Sequence, residues 1–335
     1  MPRPSLEEIG SRQSLMGSRF VGFMRWSSGA LAGLTAAAGA GVGLAALEAR
    51  FPVVRRFNVA VPARPGLRET TILHISDLHM FERQGFIVDF LARVARTEKF
   101  DMVISTGDNL GSADGVPLLL EALEPLLDKP GAFVLGSNDY YLPQAKLWTS
   151  YLMPGHSATN AANRAALQPD LPWLETVNAM TGAGWIDLTN QAGSLHVPIE
   201  DSHQTVALVG VDDPHIKRDR PTAPNADWWE PSSLRIGVTH APYRRVLDNF
   251  TGLDSDLILA GHTHGGQIRL PVYGAIVTNT DIPRRHSRGL THWSTSTPPA
   301  SSSLHVSAGL GTSRYAPVRL FCRPEVSLLR VCPTV

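Results

Sequence analysis

A histidine pair set in glycine, Gly261-His262-Thr263-His264-Gly265, and four pieces upstream of it constrain this 335-residue chain more than any other feature. The upstream pieces are Asp77-Leu78-His79, Gly107-Asp108-Asn109, Gly136-Ser137-Asn138-Asp139 and Thr239-His240. Each offers a nitrogen or oxygen metal ligand beside a glycine or a short polar residue. Each also follows a short apolar run, at residues 71–76, 102–106, 132–135, 234–238 and 257–260. Such runs read as buried strands. The ligands therefore gather at the C-terminal ends of strands, where sheets flanked by helices carry their sites. Glycine beside a ligand lets the backbone turn sharply and approach an ion. The pieces hold seven candidate ligands, Asp77, His79, Asp108, Asn138, His240, His262 and His264, enough for two metal ions. Imidazole, carboxylate and amide without thiolate suit Mn, Fe or Zn and argue against a structural zinc knot.

In this order the motifs resemble those of the calcineurin-like metallophosphoesterases. The resemblance runs from about Thr71 to the C-terminus. It is closest to a membrane-associated bacterial branch, through the run from Gly261 to Gln267, the stretch 307–313 and Cys322-Arg323-Pro324-Glu325. It implies a four-layer α/β sandwich, two mixed β-sheets with helices outside. It implies that Asp77, His79 and His264 hold one divalent ion, that Asn138, His240 and His262 hold the other, and that Asp108 bridges them. Two such cations polarise a phosphoryl group and activate water for in-line attack.

Asp139 departs from the pattern, because many members carry histidine there to assist the leaving group. A carboxyl group beside two cations should have a depressed pKa and donate protons poorly. Two expectations follow: either the leaving group needs little protonation, as with a nucleotide or pyrophosphate, or another residue donates. Tyr140 is a candidate donor and substrate contact, since a phenol stays protonated near neutrality. Arg284 and Arg285 are candidate phosphate contacts, although an exposed basic pair is the default reading. Asp212-Asp213, after the apolar run 206–210, is read either as support for the metal ligands or as a turn. His74, His196, His203, His215, His286 and His305 are read as ordinary core or surface histidines. His156 and His292 are left unassigned.

Formal net charge is zero, and no basic stripe interleaved with aromatics appears, so a nucleic-acid polymer is not an expected partner. The expected substrate is a small-molecule or lipid phosphoester. Residues 1–25 form a basic leader, with Arg3, Arg12, Arg19 and Arg25. Residues 26–47 are 22 residues without a charge, 13 of them Ala or Gly, long enough to cross a bilayer. Within them the spacings Gly29 to Gly33 and Gly39 to Gly43 allow close helix contact. A single membrane anchor is the first reading; a cleaved signal segment and a flexible linker are the others. Arginines on both sides of the segment give little contrast, with a lean toward a catalytic domain outside the cytoplasm. Residues 48–70 read as linker and first strand, and 71–335 as the catalytic domain. Helices are expected at 86–99 and 115–127, with Pro125 ending or bending the second. An insertion at 140–175, containing Trp148, Tyr151, Met153, Pro154 and Trp173, is placed to form an apolar lip over the metals or to pack back onto the domain. Trp228-Trp229 allows an interfacial contact or ordinary packing. Cys322 and Cys332 would pair only in an oxidising compartment.

Overall fold

Period-2 alternation along the central strands divides the core into separate layers. In β2 (Thr70–Ile75), Ile72 faces one way and Leu73 and Ile75 the other, and all three are fully buried. A strand buried on both faces needs cover on both, so a second sheet lies on one side and helices on the other. The computed structural model describes residues 39–144, 168–200, 202–312 and 314–334. It divides into two compact units, Met1–Ala46 and Leu47–Val335. Of the first, the described residues 39–46 are helical.

The larger unit carries β1 (Val53–Pro62), β2, β3 (Met102–Ser105), β4 (Gly131–Phe133) and β5 (Ile186–Asp187). It continues with β6 (Ala192–Ile199), β7 (Ser202–Gly210), β8 (Leu234–Val238), β9 (Leu257–Ala260), β10 (Arg269–Leu270) and β11 (Gly274–Ala275). The last three strands are β12 (Gly289–Ser296), β13 (Pro299–Val306) and β14 (Glu325–Thr334). One six-stranded sheet runs β1-β14-β2-β3-β4-β5 and the other β12-β13-β9-β8-β7-β6. Both are mixed: β2, β3, β4 and β5 are mutually parallel, as are β7, β8, β9 and β13, while β14 on β2, β12 on β13 and β6 on β7 are antiparallel.

Between the sheets, Ile72, Met102, Ile104 and Val134 meet Leu208, Ile236, Val238 and Leu259 in one buried cluster. Outside the first sheet, Leu73, Ile75 and Val103 pack on α1 (Gly85–Thr97) and α2 (Val116–Leu123). Outside the second, Val209, Ile258 and Ala260 pack on α5 (Arg244–Gly252) through Val246, Leu247 and Phe250. Phe250 lies so close that a Cβ on Gly237 of β8 would strike its ring. Truncating a fully buried ring of this kind costs about 3–5 kcal/mol. The four-layer α/β sandwich read from the sequence is the architecture found.

Boundaries differ in small, explicable ways. Helix α1 ends at Thr97, where Glu98 turns extended. Pro125 does not bend a long helix: α2 stops at Leu123, and Pro125 enters a 3-10 turn, Glu124–Leu126, whose first residues need no N–H donor. Trp148, Tyr151, Met153 and Pro154 lie outside the described residues; Trp173 opens α4 (Trp173–Gly182) and sets its ring edge on Tyr140 at 5.4 Å. Trp229 is a packing residue, buried with its indole N–H on Leu253 O at 3.0 Å. Cys322 and Cys332 are unpaired. Among the described residues, no helix is long and apolar enough to cross a membrane.

Candidate metal centre

Five of the seven expected ligands hold backbone that L-residues avoid. Asp77, His79, Asp108, His262 and His264 have φ of 51°, 46°, 55°, 66° and 48°. Left-handed backbone costs a non-glycine residue about 1–2 kcal/mol, so neighbouring structure must enforce it. Backbone bonds between the loops do so. Asp77 N donates to Gly107 O at 2.9 Å, His79 N to Asp108 O at 3.0 Å, and Gly261 N to His240 O at 2.8 Å. Two glycines are there for space. A Cβ on Gly261 would fall on Ser76 Oγ and Asp77 Oδ2, and one on Gly136 would fall on Asp108 Oδ1.

The loops bring the expected residues together as two triads, Asp77 with His79 and His264, and Asp108 with His240 and His262; within each, the ligand atoms lie within 4.8 Å of one another. His79 Nε2 lies 3.1 Å from His264 Nε2, and His240 Nε2 lies 3.2 Å from His262 Nδ1. Asp108 Oδ2 is 3.6 Å from His79 Nε2 and 3.4 Å from His240 Nε2, so one carboxylate faces both triads. His264 Nε2 is 3.7 Å from Asp77 Oδ1. Asn138 is present too, its N–H on Asp108 Oδ1 and its amide nitrogen on Asp108 Oδ2, both at 2.7 Å. Rotating that amide by half a turn presents its oxygen to the same spot.

The donor set fits divalent cations. Burial holds the pKa of His79, His262 and His264 below the ordinary imidazole range, leaving neutral rings with a lone pair each. His240 donates Nδ1–H to Thr106 O at 2.8 Å, which turns Nε2 toward Asp108. Burial alone would lower the pKa of His240, but Asp108 and Asp213 outweigh it and hold it well above the usual range. Asp108 shows the reverse balance: burial would raise it, and His240, His79 and the Asn138 bond hold it well below. Imidazole nitrogens about 3 Å apart around a buried carboxylate form a cage that a cation satisfies better than a shared proton does.

Two expected residues sit elsewhere. Asp139 is fully buried, and its carboxylate accepts three backbone N–H groups, from Asp108 at 2.9 Å, Asn109 at 2.9 Å and Gly136 at 2.8 Å. It clasps the Asp108 loop to α3 (Ser137–Tyr140). Without cations, burial and then Asp108 raise its pKa to about 6. Tyr140 is equally buried, donating its hydroxyl to Asp212 Oδ1 at 3.1 Å beneath the Arg218 guanidinium. Burial and Asp212 push its phenol well above its ordinary pKa, and its hydroxyl is committed to Asp212. Arg284 and Arg285 are exposed, Arg284 lying 4.7 Å over the Tyr273 ring.

Two neighbours, Arg319 and His215, escaped the sequence reading, and a third, Asp213, was left between support for the ligands and a turn. Arg319 is fully buried and donates to Ala308 O at 2.7 Å, Gly309 O at 3.2 Å and Gly311 O at 2.6 Å, and the same nitrogen lies 3.1 Å from His264 Nδ1. His215, read as an ordinary histidine, packs tilted against His262 with ring centroids 4.4 Å apart and reaches Tyr243 Oη at 3.0 Å. Asp213 is buried with Oδ1 on His215 N and Oδ2 unpartnered, and burial raises its pKa to about 7. Lone arginines and histidines in loops carry no spacing signal; only the Asp212-Asp213 pair had one.

The profile of the calcineurin-like phosphoesterases matches residues 70–266, the span that carries the triads. A metallophosphoesterase of Bacillus subtilis, YkoQ, is 26% identical over 271 residues, covering 80% of this chain and 85% of its own. UDP-2,3-diacylglucosamine pyrophosphatase LpxG of Chlamydia trachomatis is 26% identical over 312 residues, covering 85% and 90%. Phosphodiesterase YaeI of Escherichia coli is 30% identical over 152 residues, covering 45% and 49%. The chain belongs to the calcineurin-like phosphoesterase family and is a metallophosphoesterase.

Proposed function

We propose that this chain hydrolyses a phosphodiester or pyrophosphate bond, in a lipid-linked substrate, at a centre of two divalent cations held by Asp77, His79, Asp108, Asn138, His240, His262 and His264. The single observation that carries the reading is Asp108, whose Oδ2 faces a histidine of each triad at 3.6 and 3.4 Å. When bound, a pair of such cations supplies Lewis acidity to the phosphoryl group and an acidified water as nucleophile. The residues do the rest. Neutral His79, His262 and His264 offer lone pairs, and the Thr106 carbonyl fixes the tautomer of His240. Asp108 and Asp77 bring negative charge that balances the incoming cations.

The leaving group is where this chain speaks to substrate class. Asp139 is consumed by three backbone bonds and Tyr140 by Asp212, so neither gives it a proton. That favours a leaving group that departs without protonation, such as a nucleotide or pyrophosphate half. The name of the LpxG relative supports a lipid-linked pyrophosphate. Anchoring to the cell membrane, with the domain outside the cytoplasm, is part of the proposal. The uncharged run 26–47 supports it, as does the exposure of Val42 and Leu44 on the described helical residues. The test is turnover by metal-reconstituted protein on bis-aryl against mono-aryl phosphates, alongside nucleotide-lipid pyrophosphates. Faster turnover of diesters and pyrophosphates is expected; a monoester preference would overturn the substrate class.

A further inference from the structure

Two histidines sit where the apolar layer between the sheets would accept leucines. His74 projects from β2 beside Ile72, and His305 from β13, in the opposite sheet; both are fully buried. His305 Nδ1 lies 2.9 Å from His74 Nδ1, His74 Nε2 lies 3.0 Å from Thr106 Oγ1, and Thr106 Oγ1 donates to Ser76 Oγ at 2.7 Å. Ser76 Oγ in turn donates to Asp77 Oδ2. The chain of contacts thus runs from the second sheet, through the first, to a candidate metal ligand.

Its polarity is fixed from one end. With a cation bound Asp77 is an ionised carboxylate that only accepts, so Ser76 gives its proton to Asp77. Ser76 oxygen then accepts from Thr106, whose oxygen accepts from His74 Nε2–H. His74 Nδ1 is left bare and accepts Nδ1–H of His305. The last atom, His305 Nε2, must be a bare lone pair, and it is a buried atom without a partner. Burial holds both imidazoles neutral, His305 at a pKa of about 3, as this directional chain requires. Gly261 walls the chain: a Cβ there would strike Ser76 Oγ and Asp77 Oδ2 and press on Thr106 Oγ1 at 3.1 Å.

We propose that His305, His74, Thr106 and Ser76 form a one-way hydrogen-bond relay that positions Asp77, pinning Oδ2 so that Oδ1 faces His264 and the cation. This rests on the metal centre proposed above. These are positioning residues: none reaches the ion or substrate. They tie the alignment of one sheet on the other to the ligand geometry. An apolar pair would fill the same space without an unpartnered nitrogen, which costs about 1–3 kcal/mol, so folding alone does not account for them.

The test is Mn2+ binding to the metal-free full-length chain, by calorimetry with a competing chelator, together with thermal denaturation. Thr106→Val breaks the relay at nearly constant shape, Thr106→Ser keeps the hydroxyl, and His305→Leu replaces the far end with an apolar side chain. Removing outer partners of a metal ligand lowers affinity about 10–100-fold. Thr106→Val is expected to weaken one of two Mn2+ steps by that factor and Thr106→Ser to restore it. His305→Leu is expected to weaken the same step while leaving the melting temperature equal or higher, which a purely structural role would not do. Wild-type affinity in both Thr106→Val and His305→Leu overturns the relay. Failure of the wild-type chain to bind Mn2+ overturns the metal centre and the relay with it.

Discussion

Replacing Arg319 with methionine removes a guanidinium from the floor of the centre and tests how that floor is held. Methionine follows the same path through the core but donates nothing. It leaves the carbonyls of Ala308 and Gly311, and the more distant Cys322 O at 3.4 Å, without their donor, while Gly309 O keeps Glu325 N at 2.9 Å. Each buried acceptor left unpaired costs about 1–3 kcal/mol, and loss of the guanidinium's own burial penalty offsets part of the total. The balance is a destabilisation of about 3 kcal/mol, or roughly 5 °C in melting temperature for a domain of this size. The assay is thermal denaturation of the metal-free protein followed by circular dichroism, with Arg319→Lys beside it. Lysine keeps the charge but is a single point donor, so it should fall between the two. A melting temperature for Arg319→Met within a degree or two of wild type would refute the reasoning, because the strip 308–311 would then hold itself.

Asp139→Asn should lower stability by about 1–3 kcal/mol through the lost acceptor geometry, and should slow hydrolysis of aryl phosphates by one factor across the series. A dependence on leaving-group pKa that changes with the mutation would return Asp139 to proton transfer. His240 has a raised pKa in the metal-free fold. Its contribution to stability is therefore fully present below its unfolded value of about 6.5 and is lost as pH rises through the folded value. A cation must displace that same proton, so Mn2+ affinity should rise as pH climbs from about 6.5 toward the raised folded value, while apo-stability falls. Calorimetry and denaturation at matched pH check this, and an affinity that ignores pH would contradict it.

The fold and the triads were legible in the sequence because they rest on local signals. Apolar runs ending in Asp or His at 77, 108, 240 and 262 show strands and their C-terminal loops directly. What was misread depends on direction, which adjacency hides. Asn138 and Asp139 are neighbours in one motif, but successive residues in a helical turn diverge by about 100°, so one amide meets Asp108 while the next carboxylate turns into the backbone. Tyr140 turns further, into the core under Arg218. His74 and His305 were read as bland because each is a single histidine on an apolar strand, 231 positions apart. Only the facing of two sheets makes them a pair. Arg319 announces itself by burial alone, which no spacing encodes.

The most direct test of the central claim is the metal content and position in the full-length protein, by elemental analysis and anomalous diffraction. The account predicts two ions per chain, on either side of Asp108, one against Asp77, His79 and His264 and the other against Asn138, His240 and His262. One ion, or two placed away from Asp108, would contradict it.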